Sequence, residues 1–140
     1  MIIKVFNNSN YCDLTKFFIE KRPIDNMKRI EIIIPHERLD RTNDILEQFD
    51  VGGMSFYHIS GRGKTKWKPI PVGRGVMMYT PKYGTRTKIE VLVADSILEK
   101  IIEQLLNELS SGSVSDGKIF VSEVIQAYDI GTKNKNELAI

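Results

Sequence analysis

The sequence predicts an α+β domain in which two amphipathic helices each follow a β-strand. Segments 28–35 and 87–94 are rich in β-branched residues, and each leads into a segment whose apolar residues recur at helical spacing. Two further strand-like segments, 54–60 and 118–124, come after the helices. The predicted order of elements is therefore β-α-β-β-α-β, with a long loop over residues 61–86 between the second and third strands.

The first strand is predicted from a run of β-branched residues, Ile30, Ile32, Ile33 and Ile34, and it ends at Pro35. The helix after it is predicted from one apolar face, which comprises Leu39, Thr42, Ile45, Leu46 and Phe49. The pair Gly52-Gly53 ends this helix. The second strand, 54–60, is aromatic-rich and bounded by glycines.

The third strand ends at Asp95, which is expected to cap the second helix. One side of that helix is apolar and comprises Ile97, Leu98, Ile101, Ile102, Leu105 and Leu109. Residues 110–112 end it, and a glycine-containing turn over 113–117 leads into the fourth strand. Residues 125–140 then continue through a polar turn at 131–136.

This order is that of the ferredoxin-like split βαβ fold, in which two helices cover one face of a four-stranded antiparallel sheet. The strands carry apolar residues on both sides, so other subunits are expected to cover the second face. The domain is assigned to residues 27–140. Residues 1–26 are interpreted as an N-terminal extension, with one helix predicted over 13–21 and Pro23 after it.

The loop over residues 61–86 has an unusual composition. It contains seven of the 20 Lys and Arg residues and no Asp or Glu, so that the remainder of the chain carries a net charge of about −5. Loops of this length are uncommon in compact domains and are usually functional or disordered. The loop is either an arm that presents cations and backbone N–H groups to a phosphate or an acidic partner, or a solvated linker.

Composition also restricts location and chemistry. Cys12 is the only cysteine, which excludes an intrachain disulfide and a cysteine-based metal site. No apolar run is long enough to cross a bilayer, and the first residues lack the pattern of a secretory signal, so we expect a cytoplasmic protein without membrane insertion. His36 and His58 have no acidic or thiol cluster around them, so no metal site is predicted. No catalytic constellation is evident, and the protein is not expected to be an enzyme.

Two other function classes fit parts of this pattern. RNA-recognition modules share the β-α-β-β-α-β order, and the loop contains Trp67 and Tyr79 among its cations. However, the last two strands lack the aromatic pattern of such modules, and the positive charge lies on a loop rather than across the sheet. A small-molecule-binding regulatory domain is the other alternative. No nucleic-acid partner is expected.

Several collinear segments together resemble the P-II (PII) nitrogen regulatory family of signal-transduction proteins. They comprise residues 28–33, 53–55, 61–64, 88–93, 112–121 and the terminal Ala139-Ile140, and the resemblance extends over residues 27–140. No single segment is decisive, whereas their combination with a long loop between the second and third strands is specific.

The resemblance implies a homotrimer that binds ATP or ADP in three clefts between subunits. It also implies that the long loop, called the T-loop in this family, docks onto an ammonium transporter or a metabolic enzyme. Members of the family commonly bind 2-oxoglutarate together with Mg-ATP and respond to nitrogen or energy status. They are regulators without a catalytic centre.

The resemblance assigns the nucleotide site to four groups of residues. Gly53, Met54 and Ser55 are expected beside the adenine, Gly61, Gly63, Lys64 and Thr65 at the root of the loop, Leu92 at the cleft through its backbone, and Val114, Ser115, Asp116, Gly117 and Lys118 around the phosphates. Backbone N–H groups near a glycine form an anion-binding concavity, which suits the last group. Asp116-Gly117 before a strand is also ordinary turn chemistry.

The sequence departs from the family pattern at the phosphate end of that site. Thr65 replaces a glutamine that helps bind Mg²⁺ and 2-oxoglutarate, and Ser113 and Ser115 replace a basic residue and a glycine. Asp129 and Gly131 replace two arginines. Compensating cations would come from Lys64, Lys66, Lys133 or Lys135, and a 2-oxoglutarate carboxylate would be met by Arg86 or Lys82. These differences favour ADP or AMP over ATP and weaken the case for Mg²⁺ and 2-oxoglutarate.

The loop also contains candidate partner contacts. Trp67 and Met77-Met78 are predicted to contact the target protein, with packing back onto the body as the alternative. Tyr79 and Tyr83 lie near the position at which some family members are nucleotidylated, but no modification is predicted at either.

Overall fold

The computed structural model describes residues 27–64, 67–75 and 77–140. The predicted helix over 13–21 and the whole extension 1–26 lie outside the described residues, as does Thr65 of the predicted site.

The main sheet contains four strands, and two helices connect them. In chain order the elements are β1 (Met27–Ile34), α1 (Leu39–Glu47), β2 (Met54–Gly61), β3 (Ile70–Val72), β4 (Met77–Tyr79), β5 (Gly84–Ala94), α2 (Asp95–Leu109) and β6 (Lys118–Val124). The strand order is β2-β5-β1-β6, and every pair is antiparallel. Short 3-10 turns at His36–Arg38 and Asn136–Ala139 complete the elements. The β-α-β-β-α-β order of the main sheet agrees with the order predicted from the sequence.

One face of the sheet packs against both helices and forms the core. Ile30 of β1 lies opposite Val91 of β5, and both are buried beneath Ile101 of α2. Burial alternates along β1 and β5 because successive side chains of a strand point to opposite faces. The side chains of the even-numbered residues of β5, from Arg86 to Leu92, therefore point to the other face.

That second face, here called the open face, has no helix over it among the described residues. At its centre the ammonium of Lys88 lies 2.9 Å from Glu31 and 2.9 Å from Glu90. The Tyr57 hydroxyl donates to Glu90 at 2.9 Å, and Phe120 lies on the same face with about half of its surface exposed. The open face therefore combines a charged centre with exposed aromatic rings.

The long loop predicted over 61–86 is shorter in the structure than predicted, and it contains strands. Strand β5 begins at Gly84 rather than at residue 87, and Gly61 pairs with Gly84, so β2 and β5 form a hairpin that extends beyond the rest of the sheet. Within the loop, β3 and β4 form a separate two-stranded sheet. The reason is that cross-strand pairing, which local composition does not encode, orders both ends of the loop.

The predicted capping role of Asp95 was also wrong. The helix starts at Asp95 itself, Ala94 occupies the N-cap position, and no side-chain cap hydrogen bond forms. Asp95 instead lies 3.7 Å from the Lys28 ammonium of β1, which Glu123 of β6 also contacts at 3.1 Å. A carboxylate in the first turn is still favourable because it faces the positive end of the helix dipole.

Candidate functional site

A cleft lies at the end of the sheet where β5 ends. It has a volume of about 690 Å³. Four predicted site residues line it, namely Gly53, Met54, Ser55 and Leu92. Its other wall is formed by the C-terminal segment, through Asp129, Thr132, Asn134, Leu138, Ala139 and Ile140.

A compact turn shapes that C-terminal wall. The carboxylate of Asp129 accepts hydrogen bonds from the backbone N–H of Thr132 at 2.6 Å and from its hydroxyl at 2.8 Å. The backbone of Asp129 also pairs with Lys133 and Asn134 at 3.0 Å each. Because these donors stabilise the ionised form, the Thr132 N–H above all, they lower the pKa of Asp129. Asp129 is therefore committed to the turn, and it brings Thr132 to the rim of the cleft.

Ile140 lines the cleft on the side of the loop that precedes β2. A Cβ atom placed on Gly52 would lie 3.2 Å from the carbonyl carbon of Ile140, so the last residue packs closely against the loop that precedes β2. The prediction that Gly52-Gly53 end α1 was wrong, because the helix ends at Glu47 with Gln48 as its C-cap. The role of Gly52 is instead to leave room for Ile140.

The charges around the cleft are unevenly arranged. Arg29 of β1 is exposed, lies opposite Leu92, and is the only Lys or Arg among the described residues that line the cleft. Glu90 is held by Lys88 and Tyr57, and the hydrogen bond from Lys88 is the main reason that the pKa of Glu90 is lowered. With Asp129 also ionised, the cleft carries two carboxylates and one guanidinium. A polyphosphate would therefore find little compensation here within one chain.

A second group of predicted residues lies in the 110–117 loop, at the opposite end of the sheet. The Asp116 carboxylate accepts from the Ser111 N–H and hydroxyl at 2.6 Å each and from the Ser113 N–H at 3.0 Å. The Arg38 guanidinium donates to the same carboxylate at 2.7 Å and also to the Leu109 carbonyl. These donors, led by Ser111, hold the pKa of Asp116 well below its ordinary value. Asp116 thus fixes the conformation of the loop by accepting hydrogen bonds from Ser111, Ser113 and Arg38.

Gly117 is required at its position for two reasons. Its φ of +141° lies in a region that side chains disfavour, and a Cβ atom there would lie 2.3 Å from the Ile33 carbonyl oxygen. The tight approach to β1 places Val114, which is 78% exposed, together with Ser115 and Lys118 on the outside. The loop therefore presents one cation to the surroundings, while the backbone N–H groups of Ser111, Ser113, Ser115 and Asp116 donate hydrogen bonds within the loop.

The third group lies at the root of the long loop. Gly61, Gly63 and Lys64 are exposed there. The Trp67 ring covers Gly84 so closely that a Cβ atom on this glycine would lie 1.6 Å from the ring, and the Arg86 guanidinium lies 5.1 Å from the ring centre. Trp67 therefore packs back onto the body, which is the alternative to partner contact that its sequence context left open.

The tip of the loop exposes the apolar residues that the sequence analysis assigned to partner contact. The side chains of Met77 and Met78 are 67% and 65% exposed, and Ile70 and Tyr79 beside them are about half exposed. The β3–β4 pairing holds Ile70 opposite Tyr79 and Val72 opposite Met77. The tip is thus an ordered, largely apolar surface on a basic arm.

One chain does not bring the predicted site residues together. Ser55 lies three strand spacings from Phe120 across the sheet, and Lys118 lies two residues further along β6. These steps separate the Cα atoms of Ser55 and Lys118 by roughly 16 Å. A ligand that contacts both groups within a single described chain would have to span most of the sheet.

Sequence reasoning missed some residues that the structure places at these sites. Arg29, Glu90, Thr132 and Asn134 line the cleft but were not assigned to it. The alternation of β1 and β5 could have indicated Arg29 and Glu90, and the Asp-x-x-Thr spacing of an Asx turn could have indicated Thr132. His36 and His58, for which no metal site was predicted, both approach the buried Thr87 hydroxyl, at 3.1 and 3.4 Å. No metal-binding cluster occurs among the residues that the structure describes.

Comparisons with known proteins agree on one family. The family model described as "Nitrogen regulatory protein P-II" matches residues 27–134. Proteins named Nitrogen regulatory protein P-II from Cereibacter sphaeroides and Haemophilus influenzae are 34% and 33% identical over 114 residues, which cover 81% of this chain and 100% of each relative. The solved structure of Bacillus subtilis GlnK superposes with a TM-score of 0.66 at 27% identity, covering 82% of this chain and 99% of that one. Within the described residues, no helix is long and apolar enough to span a membrane.

Proposed function

Because this chain belongs to the nitrogen regulatory protein P-II family, we propose that it is a cytoplasmic signal-transduction regulator that binds an adenine nucleotide between the subunits of a homotrimer. The nucleotide selects a conformation of the long loop, and the loop docks onto a target protein. An ammonium transporter or an enzyme of nitrogen metabolism is the proposed target. The protein itself catalyses no reaction.

The separation of the predicted ligand residues carries this proposal. The cleft group (Gly53, Met54, Ser55, Leu92) and the 110–117 loop lie at opposite ends and opposite edges of the sheet. If one subunit supplies the cleft and its neighbour supplies the loop, the two halves meet at a subunit boundary. Cyclic symmetry then generates one such cleft at each boundary, three in a trimer.

The open face supplies the interface for this assembly. Lys88, Glu31, Glu90 and Tyr57 already satisfy one another within one chain. A charge cluster that enters an interface with its hydrogen bonds made avoids leaving an uncompensated buried charge, which is the costly outcome. The exposed ring of Phe120 adds apolar surface beside the cluster, and the helices remain on the outside of the trimer.

Within the site we assign the adenine to the cleft and the phosphates to the 110–117 loop and the loop root. Ser55 offers a hydroxyl, Leu92 offers its backbone, and Lys118 receives phosphate oxygens together with the loop over residues 114–117. Gly61, Gly63 and Lys64 approach from the root of the long loop. Asp116 holds the phosphate loop together through its hydrogen bonds to Ser111 and Ser113, and Val114 lies exposed on that loop.

A second candidate function is an ADP or AMP sensor that does not respond to 2-oxoglutarate. The specific observation in its favour is the charge of the cleft, where Asp129 and Glu90 oppose the single cation Arg29. Each additional phosphate near these carboxylates is disfavoured unless Mg²⁺ or a lysine neutralises it. Thr65 offers a short hydroxyl where the family uses an amide, which weakens Mg²⁺ and 2-oxoglutarate binding.

Calorimetric titration tests both candidates. ATP, ADP and AMP are each titrated with and without Mg²⁺ and 2-oxoglutarate, while light scattering after size-exclusion chromatography counts the subunits. Saturable binding to a trimer supports the proposal, and a preference for ADP or AMP with no 2-oxoglutarate uptake selects the second candidate. The variant Lys118→Ala should weaken binding, whereas Lys100→Ala, on the exposed side of α2, should not. A monomer that binds no nucleotide would contradict both.

A further inference from the structure

The described chain leaves an apolar groove between α2 and β6, here called the α2–β6 groove, on the helix-covered side of the sheet. Its volume is about 460 Å³. Ile102, Leu105, Leu106, Ile119 and Val121 form most of its apolar lining. Leu106 and Val121 are 55% and 45% exposed, so the groove presents apolar side chains outward. A surface of this kind usually receives another apolar segment.

At one end the groove shares Asp116, Gly117 and Lys118 with the proposed phosphate loop, whereas its other end lies between α2 and Val121, away from that loop. Its strand residues, Ile119 and Val121, point to the same side as the buried Ile30 and Ile32, whereas the open face carries Phe120. The proposed function therefore accounts for the end of the groove at the 110–117 loop, but not for the apolar end formed by Ile102, Leu106 and Val121.

The position of the N-terminal extension identifies an occupant. Strand β1 begins at Met27, which pairs with Val124 at the end of β6. Residues 1–26 therefore join the domain at one end of the groove. They are numerous enough to reach its other end, which lies roughly 20 Å away along β6 at strand spacing.

The extension has no counterpart in the relatives, and its composition suits the groove. The family match starts at residue 27, and the two relatives are covered completely by 114 residues of this chain. Leu14, Phe17 and Phe18 are spaced at i, i+3 and i+4, the spacing of one helical face. An amphipathic helix laid in an apolar groove is a recurrent mode of recognition.

The charges at the groove rim are complementary to the same segment. Glu99 and Glu103 are exposed on α2, one turn from Ile102 and Leu106, and neither forms an ion pair with the described residues. Around its apolar spacing the extension carries the cations Lys16, Lys21 and Arg22 together with the carboxylates Asp13, Glu20 and Asp25, so the cations are the groups that would face the rim. Ion pairs at such a rim orient a docked segment more than they strengthen it.

We propose that residues 1–26 dock into the α2–β6 groove of their own chain. The direct connection to β1 makes the docking intramolecular, so the segment is present at a high effective concentration and needs only modest apolar contact to stay bound. The proposal does not depend on nucleotide binding, and it holds or fails whichever nucleotide the protein prefers.

The single cysteine allows a direct test on the full chain. A nitroxide label on Cys12 should remove the methyl NMR signals of Leu106, Val121 and Ile102, while the signals of Ile130, which is exposed on the C-terminal segment, remain. In the double variant Phe17→Ser/Phe18→Ser the groove signals should return. Uniform broadening in both proteins, or no broadening of the groove signals, would overturn the proposal.

Two controls are needed. The first distinguishes docking within one chain from docking onto a neighbouring chain, and the second distinguishes loss of docking from misfolding. In the first control, chains that carry the nitroxide but no isotope are mixed with chains that carry the isotope but no nitroxide. The groove signals should then persist. Their loss would place the segment in another chain's groove and overturn the proposal as stated. Leu106→Asp should release the segment, as reported by a spin-label spectrum at Cys12 of higher mobility, whereas Ile130→Asp should not. Both substituted positions are exposed, so each variant is expected to fold.

Discussion

Gly117 provides a graded test of how the phosphate loop is held against β1. Replacement by alanine demands φ near +141° from a residue with a side chain, which costs roughly 1–3 kcal/mol in comparable strained positions. The new Cβ atom would also lie 2.3 Å from the Ile33 carbonyl oxygen, so the loop must move or β1 must distort. We expect Gly117→Ala to destabilise the protein by roughly 2–4 kcal/mol, as strain and clash add.

Two other glycines serve as matched controls. Gly112 has φ of +80°, but a Cβ atom added there would have nothing within 4 Å, so Gly112→Ala isolates backbone strain and should cost about 1 kcal/mol. Gly63 has neither feature, so Gly63→Ala should be close to neutral. Urea unfolding of all three variants at one protomer concentration measures the series, because the stability of an oligomer depends on concentration. Equal stability of the Gly117 and Gly112 variants would refute the close approach to β1.

Three further predictions concern the core, the acid side of the stability profile and the loop root. Ile101→Ala should lower the free energy of unfolding by roughly 2–5 kcal/mol because Ile101 is fully buried, and urea denaturation that finds it as mild as the exposed Leu106→Ala would contradict the assigned core. Asp116 has a lowered pKa in the folded state, so it contributes stability above the ordinary carboxyl pKa of about 4 that is lost as pH falls below it; Asp116→Asn should be less stable at pH 7 and lose less on acidification, as followed by thermal melts. Gly84→Ala should displace Trp67, the only tryptophan, and shift its fluorescence to longer wavelength, whereas an unchanged emission would show that the ring does not cover Gly84.

The helices and the main strands could be predicted because their signals are local. The apolar face of α2 and the β-branched run of β1 each decide one element without reference to the rest of the chain. The first residue of α2 was misplaced by one because Asp95 can act either as a cap or as a first-turn carboxylate, and the choice depends on its tertiary partner Lys28.

The interior of the long loop could not be predicted in the same way. Strand β3 is only Ile70-Pro71-Val72, and a proline normally argues against a strand. Its pairing with β4 becomes possible because Gly73 and Gly75 adopt positive φ in the connection between them. Such pairing depends on a partner strand and a turn together, which no single window of sequence reveals.

The candidate site was predicted by resemblance more than by pattern. Gly53, Met54, Ser55 and Leu92 do line one cleft. That the C-terminal turn at Asp129 forms the other wall depends on long-range folding of the tail, and the tail has weak periodicity. The roles of the predicted residues in binding remain predictions, and Thr65 lies outside the described residues.

The central claim is that each nucleotide cleft is completed by two subunits, and subunit complementation tests it most directly. Ser55→Glu should abolish binding through the cleft, and Lys118→Glu should abolish binding through the phosphate loop. If the two variants are co-expressed in equal amounts and assemble at random, about a quarter of all clefts, one in each mixed trimer, combine an intact Ser55 with an intact Lys118 from the neighbour. Calorimetry should then recover that fraction of sites at the wild-type affinity. A mixed assembly that binds no better than either variant alone would contradict the account.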